Sequence, residues 1–332
     1  MKKTLYLFSG GGLRRLDDNL YCEDPGGGRI IPLAEVSDIM LFGPAAINQK
    51  LLEFLSFKGI IIHFFSATGG YTGAFYPGGR TGSPEILLKQ AEFNLNETKR
   101  VELARLFVQG AYGNVNRLLQ YYHRRGRAVG EYLTAIENLA EGIELSTDLG
   151  SLVALKDTLH ETYYRSFDLI IGDEMFKFGE RSSRPPKNPL NALISFGNSL
   201  MYAVCLNEIY KTRLDPRIGF LHSENFRPQM LNLDIAEIFK PVLSDRVILQ
   251  CLLRRQITAA DFRDLAGGVA LNDRAKKVIS GELNMRLAAG EIPGGQVRYL
   301  SYRQLIRREL QNLERHLTGE GDYEPFQGPG DQ

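Results

Sequence analysis

The sequence has few cysteines, no tryptophan and no long apolar run. Its three cysteines, Cys22, Cys205 and Cys251, are scattered and odd in number, so they form neither a zinc motif nor a disulfide framework. We therefore expect a reducing, cytoplasmic compartment. No apolar run reaches about 18 residues, and the polar-broken start is too short for a signal peptide, so we expect no membrane span.

The chain also lacks a large net charge. Its 332 residues include 40 Lys or Arg and 39 Asp or Glu, a formal net charge of +1, which does not by itself indicate nucleic-acid binding. The basic residues nevertheless occur in clusters, and taken singly each cluster is more often a solvated face than a binding site. These clusters are Arg124, Arg125 and Arg127; Arg181, Arg184 and Lys187; and Arg303, Arg307 and Arg308.

Two regions differ in their apolar pattern, as expected for a chain long enough for two domains. Residues 1–80 contain short apolar runs separated by glycines, which predict a small β-rich domain with one helix over residues 46–57. Ser83 and Pro84 are typical of a helix start, and from there to residue 317 the apolar spacing is helical. The predicted fold is α+β, a β-rich domain (1–80) followed by a larger all-α catalytic domain (84–317). A tail over residues 318–332, rich in Gly, Pro and acids, is predicted to be disordered.

The strongest candidate site combines His222 with a short helix over residues 232–239. Asp234 and Glu237 are three residues apart and share one face of this helix, and Lys240 continues the same stripe. Unpaired carboxylates in so apolar a helix are costly, and a divalent ion bound by oxygen and imidazole ligands would stabilise them. The alternative is an acid face that is salt-bridged to Lys240 or Arg227, with His222 as a buried hydrogen-bonding residue. The spacing leaves both open.

A second polar patch precedes this site. The proline-rich segment 185–189 is a rigid entry to a helix that carries Asn191, Ser195, Asn198 and Tyr202. These side chains either line a substrate groove or allow helices to pack closely.

Several motifs together resemble a known family. The segments SRPPKNPLNALISFGNSLMY, DPRIGFLH and LNLDIAEIFKPVLSDR are similar to those of the CRISPR-associated adaptation integrase, the universal spacer-acquisition endonuclease. LYLFSGGGLRR, IPLAEVSDIMLFG and GIIIHFF fit the β domain of that family, and ILLKQAEFNLNETKR fits its first long helix. The resemblance covers nearly the whole chain.

The resemblance implies an enzyme of CRISPR adaptation. Such an enzyme is a homodimer that uses Mg²⁺ or Mn²⁺, works with a small adaptation partner protein, and inserts short DNA by attack of a 3′-hydroxyl on a phosphodiester. The N-terminal β domain would provide dimerisation and partner contacts. Carried over to this sequence, His222 and Glu237 are the catalytic residues and metal ligands, with Asp234 in support. Lys240, Arg184, Lys187 and Tyr202 are the implied DNA contacts.

One position departs from the family pattern. The first metal ligand of the family is a glutamate seven residues before an aromatic pair, and seven residues before Tyr163 this chain has Lys156. An ammonium there would repel a divalent ion and could itself pair with Glu237. Two alternatives stay open: a slight rotation of the helix lets Asp157 or Glu161 supply the carboxylate, or the alignment slips. Two hypotheses follow, an active metal-dependent integrase, or a DNA- and partner-binding scaffold with an impaired metal site.

Overall fold

The computed structural model describes six continuous stretches of the chain. They are residues 2–8, 11–24, 27–78, 83–222, 229–291 and 299–328. All the candidate metal-ligating and DNA-binding residues lie within these stretches, whereas Arg227 lies outside the described residues.

The described N-terminal region is β-rich with one helix, as predicted. Its elements are β1 (Lys3–Leu7), β2 (Gly12–Leu16), β3 (Asn19–Asp24), β4 (Gly27–Pro32), β5 (Val36–Phe42), β6 (Ala46–Ile47), α1 (Gln49–Lys58), β7 (Ile61–Phe65) and β8 (Tyr71–Phe75). One sheet has the strand order β1-β5-β7-β8, and the other has the order β4-β3-β2-β6. The helix predicted over residues 46–57 therefore begins slightly later than expected, after the short strand β6.

Strand β5 is central to the first sheet and is covered on both faces. It runs parallel to both β1 and β7. Ile39 and Leu41 pack in the core that α1 shares, whereas Met40 and Phe42 pack in the core of the helical region. Burial on both faces explains why this strand is a nearly continuous apolar run instead of an alternating one.

Helices make up most of the chain after residue 83. They are α2 (Pro84–Leu95), α3 (Glu97–Arg124), α4 (Gly130–Leu145), α5 (Leu149–Arg165), α6 (Phe167–Ile171), α7 (Pro189–Ile209), α8 (Leu231–Phe239), α9 (Arg246–Leu253), α10 (Asp273–Ala288) and α11 (Tyr302–Leu317). The predicted start of α2 is confirmed, because the Ser83 side chain accepts a hydrogen bond from the Ile86 N–H and Pro84 is the first helical residue. Asn188 caps α7 in the same way.

Helix α7 is long and apolar enough to cross a membrane, judged by length and composition alone. In this structure the helix is the centre of the helical core. Almost all of its side chains are buried, including the polar residues Asn191, Asn207 and Glu208. Its apolar composition is therefore accounted for by packing inside the fold.

The C-terminal region is not entirely α-helical, so the expected all-α domain is too simple. Two antiparallel pairs interrupt the helices, β9 (Phe262–Leu265) with β10 (Gly268–Leu271) and β11 (Gly290–Glu291) with β12 (Leu300–Ser301). The first pair turns at Gly267, whose φ of 80° is unfavourable for a residue with a Cβ.

The segment after α11 differs from the predicted disordered tail as far as residue 328. Tyr323 is buried and its hydroxyl donates to the Glu309 carboxylate, while Phe326 stacks on Phe239 with ring centroids 4.8 Å apart. The Gly328 N–H donates to the Asn114 side chain. Two aromatic side chains give this Gly- and acid-rich segment enough apolar area to pack. Residues 329–332 lie outside the described part of the chain.

An internal ionic cluster joins the β-sheet to the helices. Asp38 on β5 is fully buried and lies 3.5 Å from the guanidinium of Arg303 on α11. Glu208 on α7 pairs with Arg307 at 2.7 Å and with Arg303 at 3.7 Å. Two members of the third basic cluster in the sequence, Arg303 and Arg307, are therefore ion-pairing residues, of which Arg303 is buried and Arg307 is partly exposed.

Candidate active site

His222 is held in place by Asp234. One oxygen of the Asp234 carboxylate accepts from the backbone N–H groups of Phe220 and Leu221, and the other accepts from the His222 N–H. The same second oxygen lies 2.8 Å from the His222 Nδ1. Because a carboxylate accepts hydrogen bonds, Nδ1 carries a proton, and in the neutral imidazole Nε2 then has the free lone pair. Asp234 is therefore occupied in orienting the histidine.

Residues of the first two long helices hold the loop that carries His222. The Gln90 side chain donates to the carbonyls of Asp215 and Ile218 and accepts from the Asp215 N–H. Asn94 donates to the Gly219 carbonyl, and Arg100 donates to that of Phe220. These residues were not among the predicted site residues. Their side chains bind backbone carbonyls of a distant loop, and the spacing of residues along the chain does not show such contacts.

Glu237 is buried beside three nitrogen-bearing side chains. One carboxylate oxygen lies 2.7 Å from Lys240 Nζ and 2.9 Å from His160 Nε2, and the other lies 3.7 Å from His222 Nε2. Burial acts to raise the pKa of this carboxyl, but Lys240, His160 and His222 together lower the pKa well below its usual range. Glu237 is thus ionised and already paired. The Lys240 side chain is almost fully buried, so the structure places it against Glu237 and not on an open surface.

Helix α5 brings two further side chains to this corner. Lys156 is mostly buried, and its ammonium lies 3.1 Å from a carboxylate oxygen of Asp157, not beside Glu237 as the sequence suggested. His160, one turn later on the same helix face, reaches Glu237 instead, and burial lowers the pKa of its imidazole. His160 is not among the residues predicted for the site, although its spacing of four from Lys156 places the two on one helix face.

These residues line a large cavity between the β7–β8 turn and the helices. The cavity has a volume of about 960 Å³ and includes Lys156, His160, His222, Glu237 and Lys240. Four Lys or Arg residues and three Asp or Glu residues line it, so its walls carry a small net positive charge when the histidines are neutral. Such a cavity favours an anionic ligand.

The implied DNA contacts fall in different places. Arg184 and Tyr202 line the cavity, whereas Lys187 does not and instead lies 3.8 Å from Glu180 on the surface. Arg181, from the same basic cluster, also lines the cavity and donates to Asn191 and Ser195 on α7. Two of the polar side chains of α7 therefore hold the Arg181 guanidinium at the cavity wall.

The donor set differs from the predicted three-ligand metal site. His222 Nε2 and one Glu237 oxygen face each other, but Asp234 is fully used by the His222 loop, and Lys156 is at the expected position of the first carboxylate. Asp157 is two-thirds exposed and paired with Lys156. In the part of the chain that the structure describes, no group of three or more His, Cys, Asp or Glu residues is placed to hold a metal ion. The described residues therefore do not fit that site.

The fold and the cavity define a class of protein before any comparison is made. A β-rich region and a helical region enclose a cationic cleft with an oriented histidine and a buried carboxylate, an arrangement suited to phosphodiester chemistry. A family model described as CRISPR associated protein Cas1 matches residues 5–284. The chain belongs to the Cas1 family.

Relatives and solved structures agree with this assignment. The CRISPR-associated endonuclease Cas1 2 of Thermodesulfovibrio yellowstonii is 44% identical, with 98% of this chain and 99% of the relative covered. A Cas1 protein from Thermotoga maritima, solved as a structure, has a TM-score of 0.85 at 39% identity, covering 97% of this chain and 98% of that one. A casposase bound to integration product shares the fold, with a TM-score of 0.88 at 17% identity, covering 100% of this chain and 95% of that one.

Proposed function

We propose that this protein cleaves and joins DNA strands in CRISPR adaptation, inserting short DNA into the CRISPR array by attack of a 3′-hydroxyl on a phosphodiester. Family membership supports this, and two relatives that are 44% and 41% identical are named endonucleases. The observation that carries the proposal is the oriented His222, which faces Glu237 inside a cationic cleft between two regions of the fold.

The residues would act by binding the phosphate and by moving a proton. Nε2 of His222 can accept the proton of the attacking hydroxyl, because Asp234 keeps the proton of the ring on Nδ1. Lys156, Arg181 and Arg184 are placed at the walls to offset the charge that develops on the phosphate oxygens. Tyr202 lines the same cavity and provides an aromatic surface for a base.

The family resemblance implies Mg²⁺ or Mn²⁺, which would supply Lewis-acid activation of the phosphate. The described residues do not offer the predicted ligand set, so no step above depends on a bound ion. The same observation favours a second candidate function, a scaffold that binds DNA and partner proteins without cutting. Its specific support is the ammonium of Lys156 at the position where the family resemblance implies a carboxylate.

A cleavage and strand-transfer assay on labelled DNA distinguishes the two functions. It is run with Mg²⁺, Mn²⁺ or EDTA on wild type, His222→Ala, Lys156→Glu and the matched control Lys277→Glu, which changes an exposed lysine of α10 outside the cavity. Wild-type activity that His222→Ala abolishes and Lys277→Glu retains supports the enzyme. Activity that appears only in Lys156→Glu supports the scaffold.

We further propose a homodimer that contacts a small adaptation partner through its β domain, in the cytoplasm. Exposed apolar side chains on that domain support an interface: Phe57 on α1 is 83% exposed, and Ile30 on the edge strand β4 is 55% exposed. A chain of a Cas6-RT-Cas1–Cas2 complex shares this fold. The three free, buried thiols are consistent with a reducing compartment.

A further inference from the structure

We infer that Lys156 takes the place of a divalent ion in this cavity and binds a DNA phosphate directly, so that phosphate binding here does not require metal. The inference rests on the proposed function in one respect, because it takes DNA as the ligand. It concerns how the cavity holds the phosphate and not whether the bond is cut.

The first support is the position of the Lys156 ammonium. The side chain is 10% exposed, and the residue lines the cavity together with its partner Asp157. The partner of the ammonium is Asp157, which is 66% exposed and weakened as a partner by solvent. An ammonium has three donors, so Lys156 can bind a phosphate oxygen while keeping this contact.

The second support is that Glu237 is already neutralised. Lys240 and His160 both contact one of its oxygens, at 2.7 Å and 2.9 Å. A divalent ion bound to the other oxygen, which faces His222 Nε2, would share this carboxylate with the Lys240 ammonium and would lie in the same cavity as that of Lys156. Both cations would repel it in a buried site, where charges are poorly screened.

The third support is the charge that a phosphate would meet. A divalent ion with one carboxylate ligand carries a single net positive charge, and so does a lysine ammonium. Lys156 lies at the position where the family resemblance implies that carboxylate. Replacing the ion and its glutamate by one lysine therefore preserves the attraction for a phosphate, although it removes the Lewis acid.

The guanidinium of Arg181 adds a cation whose hydrogen-bond partners are uncharged. It is held by neutral oxygens, 2.9 Å from the Asn191 side-chain oxygen and 3.2 Å from Ser195 Oγ. Across the described stretches of the chain, no carboxylate oxygen lies within 4.0 Å of Arg181 or Arg184. Lys156 and these arginines therefore present a cationic wall to a phosphodiester without any ion.

Fluorescence anisotropy with a labelled DNA duplex, in EDTA and in Mn²⁺, tests the inference. We expect the wild-type Kd to change less than about twofold between the two buffers, whereas Lys156→Glu should bind about tenfold more weakly in EDTA and recover in Mn²⁺. Lys156→Arg should keep metal-independent binding because it keeps the charge. Lys277→Glu, with the same charge reversal on an exposed helix, should bind as wild type does.

Mn²⁺ binding without DNA, followed by electron paramagnetic resonance, provides a second measurement. We expect no stoichiometric site in wild type, and one in Lys156→Glu that His222→Ala removes. The inference is overturned if wild type binds one Mn²⁺ that His222→Ala abolishes, or if EDTA weakens wild-type DNA binding about tenfold.

The outcomes separate the inference from the proposed function. Metal-independent DNA binding without cleavage keeps the inference and removes the enzymatic part of the proposal. Mn²⁺-dependent DNA binding together with cleavage keeps the proposed enzyme and overturns the inference. If wild type binds no DNA in either buffer, both are wrong.

Discussion

At the scale of single residues, the site depends on how each charged group is already paired. Asp234 and Glu237 share a helix face and were expected to share a role, yet Asp234 binds the His222 loop while Glu237 binds Lys240 and His160. Two carboxylates three residues apart thus have different roles, because each one contacts different hydrogen-bond donors from other parts of the fold.

Replacing the Asp234 carboxylate tests its orienting role. Asp234→Asn leaves one oxygen for four donors and turns an amide N–H₂ toward backbone N–H groups, so we expect a loss of about 2–4 kcal/mol in the free energy of unfolding. Urea unfolding measures this loss, and the nitrogen NMR shifts of His222 should show that the preference for the Nδ1–H form is reduced. Asp264→Asn, on the exposed side of β9, is the control and should change stability by less than about 0.5 kcal/mol. An unchanged tautomer would contradict the orienting role.

At the scale of elements, the chain packs short segments against long helices. The loop before His222 is fixed by Gln90 and Asn94 from α2, so the first helix after the β-rich region positions the site. Directly after α8, the residues Pro241–Asp245 form a π-helical turn, and the buried Asp245 accepts a hydrogen bond from the Tyr163 hydroxyl of α5. A π-turn of this kind commonly marks a functional site, because it lets the helix redirect side chains without ending.

The packed C-terminal segment should make stability depend on pH. Burial raises the pKa of Glu309 from 4.5 to about 7, so between these values the unfolded chain loses its proton while the folded chain keeps it. Stability from this group is therefore present at low pH and is lost as pH rises toward 7. Glu309→Gln has no proton to lose and should not show this decrease. Between about pH 5 and pH 8 its free energy of unfolding should therefore rise relative to that of wild type, by up to about 3 kcal/mol.

Urea unfolding of wild type and Glu309→Gln across this range measures the difference. Glu320→Gln, at an exposed position of the same segment, is the matched control and should show no such trend. A difference between wild type and Glu309→Gln that does not vary with pH would mean that Tyr323 and Phe326 do not bury Glu309.

At the scale of the whole molecule, buried charges join the β-sheet to the helices. Arg303 lies within ion-pairing distance of both Asp38 and Glu208, which come from β5 and α7. The cavity lies at this same junction, so its shape depends on how the two regions are held together.

Removing this cation should destabilise the junction. Arg303→Met leaves the fully buried Asp38 without its guanidinium, and we expect a loss of about 3–5 kcal/mol in the free energy of unfolding. Arg315→Met, an exposed arginine on the same helix, should cost less than about 1 kcal/mol. Thermal and urea unfolding measure both, and equal effects of the two substitutions would show that the internal cluster does not join the two regions.

Much of the fold could be predicted from the sequence, since apolar spacing and helix caps are local. The β-rich character of residues 1–80, the start of α2 at Ser83-Pro84 and the helix α8 follow from such patterns. The hairpin β9–β10 and the packed segment around Tyr323 could not be predicted, because they are stabilised by contacts with residues far along the chain. His160 was missed for the same reason, since its partner Glu237 lies on another helix.

The sequence by itself determined the family and the α+β organisation, and it predicted His222, Glu237 and Lys156 as site positions, because motifs and periodicity are properties of neighbouring residues. Only the tertiary structure decided which of these groups pair. It placed Lys240 and His160 on Glu237, gave Asp234 to the His222 loop, and left Lys156 facing the cavity. The pairing of charges depends on distance and burial in three dimensions, and spacing along the chain specifies neither.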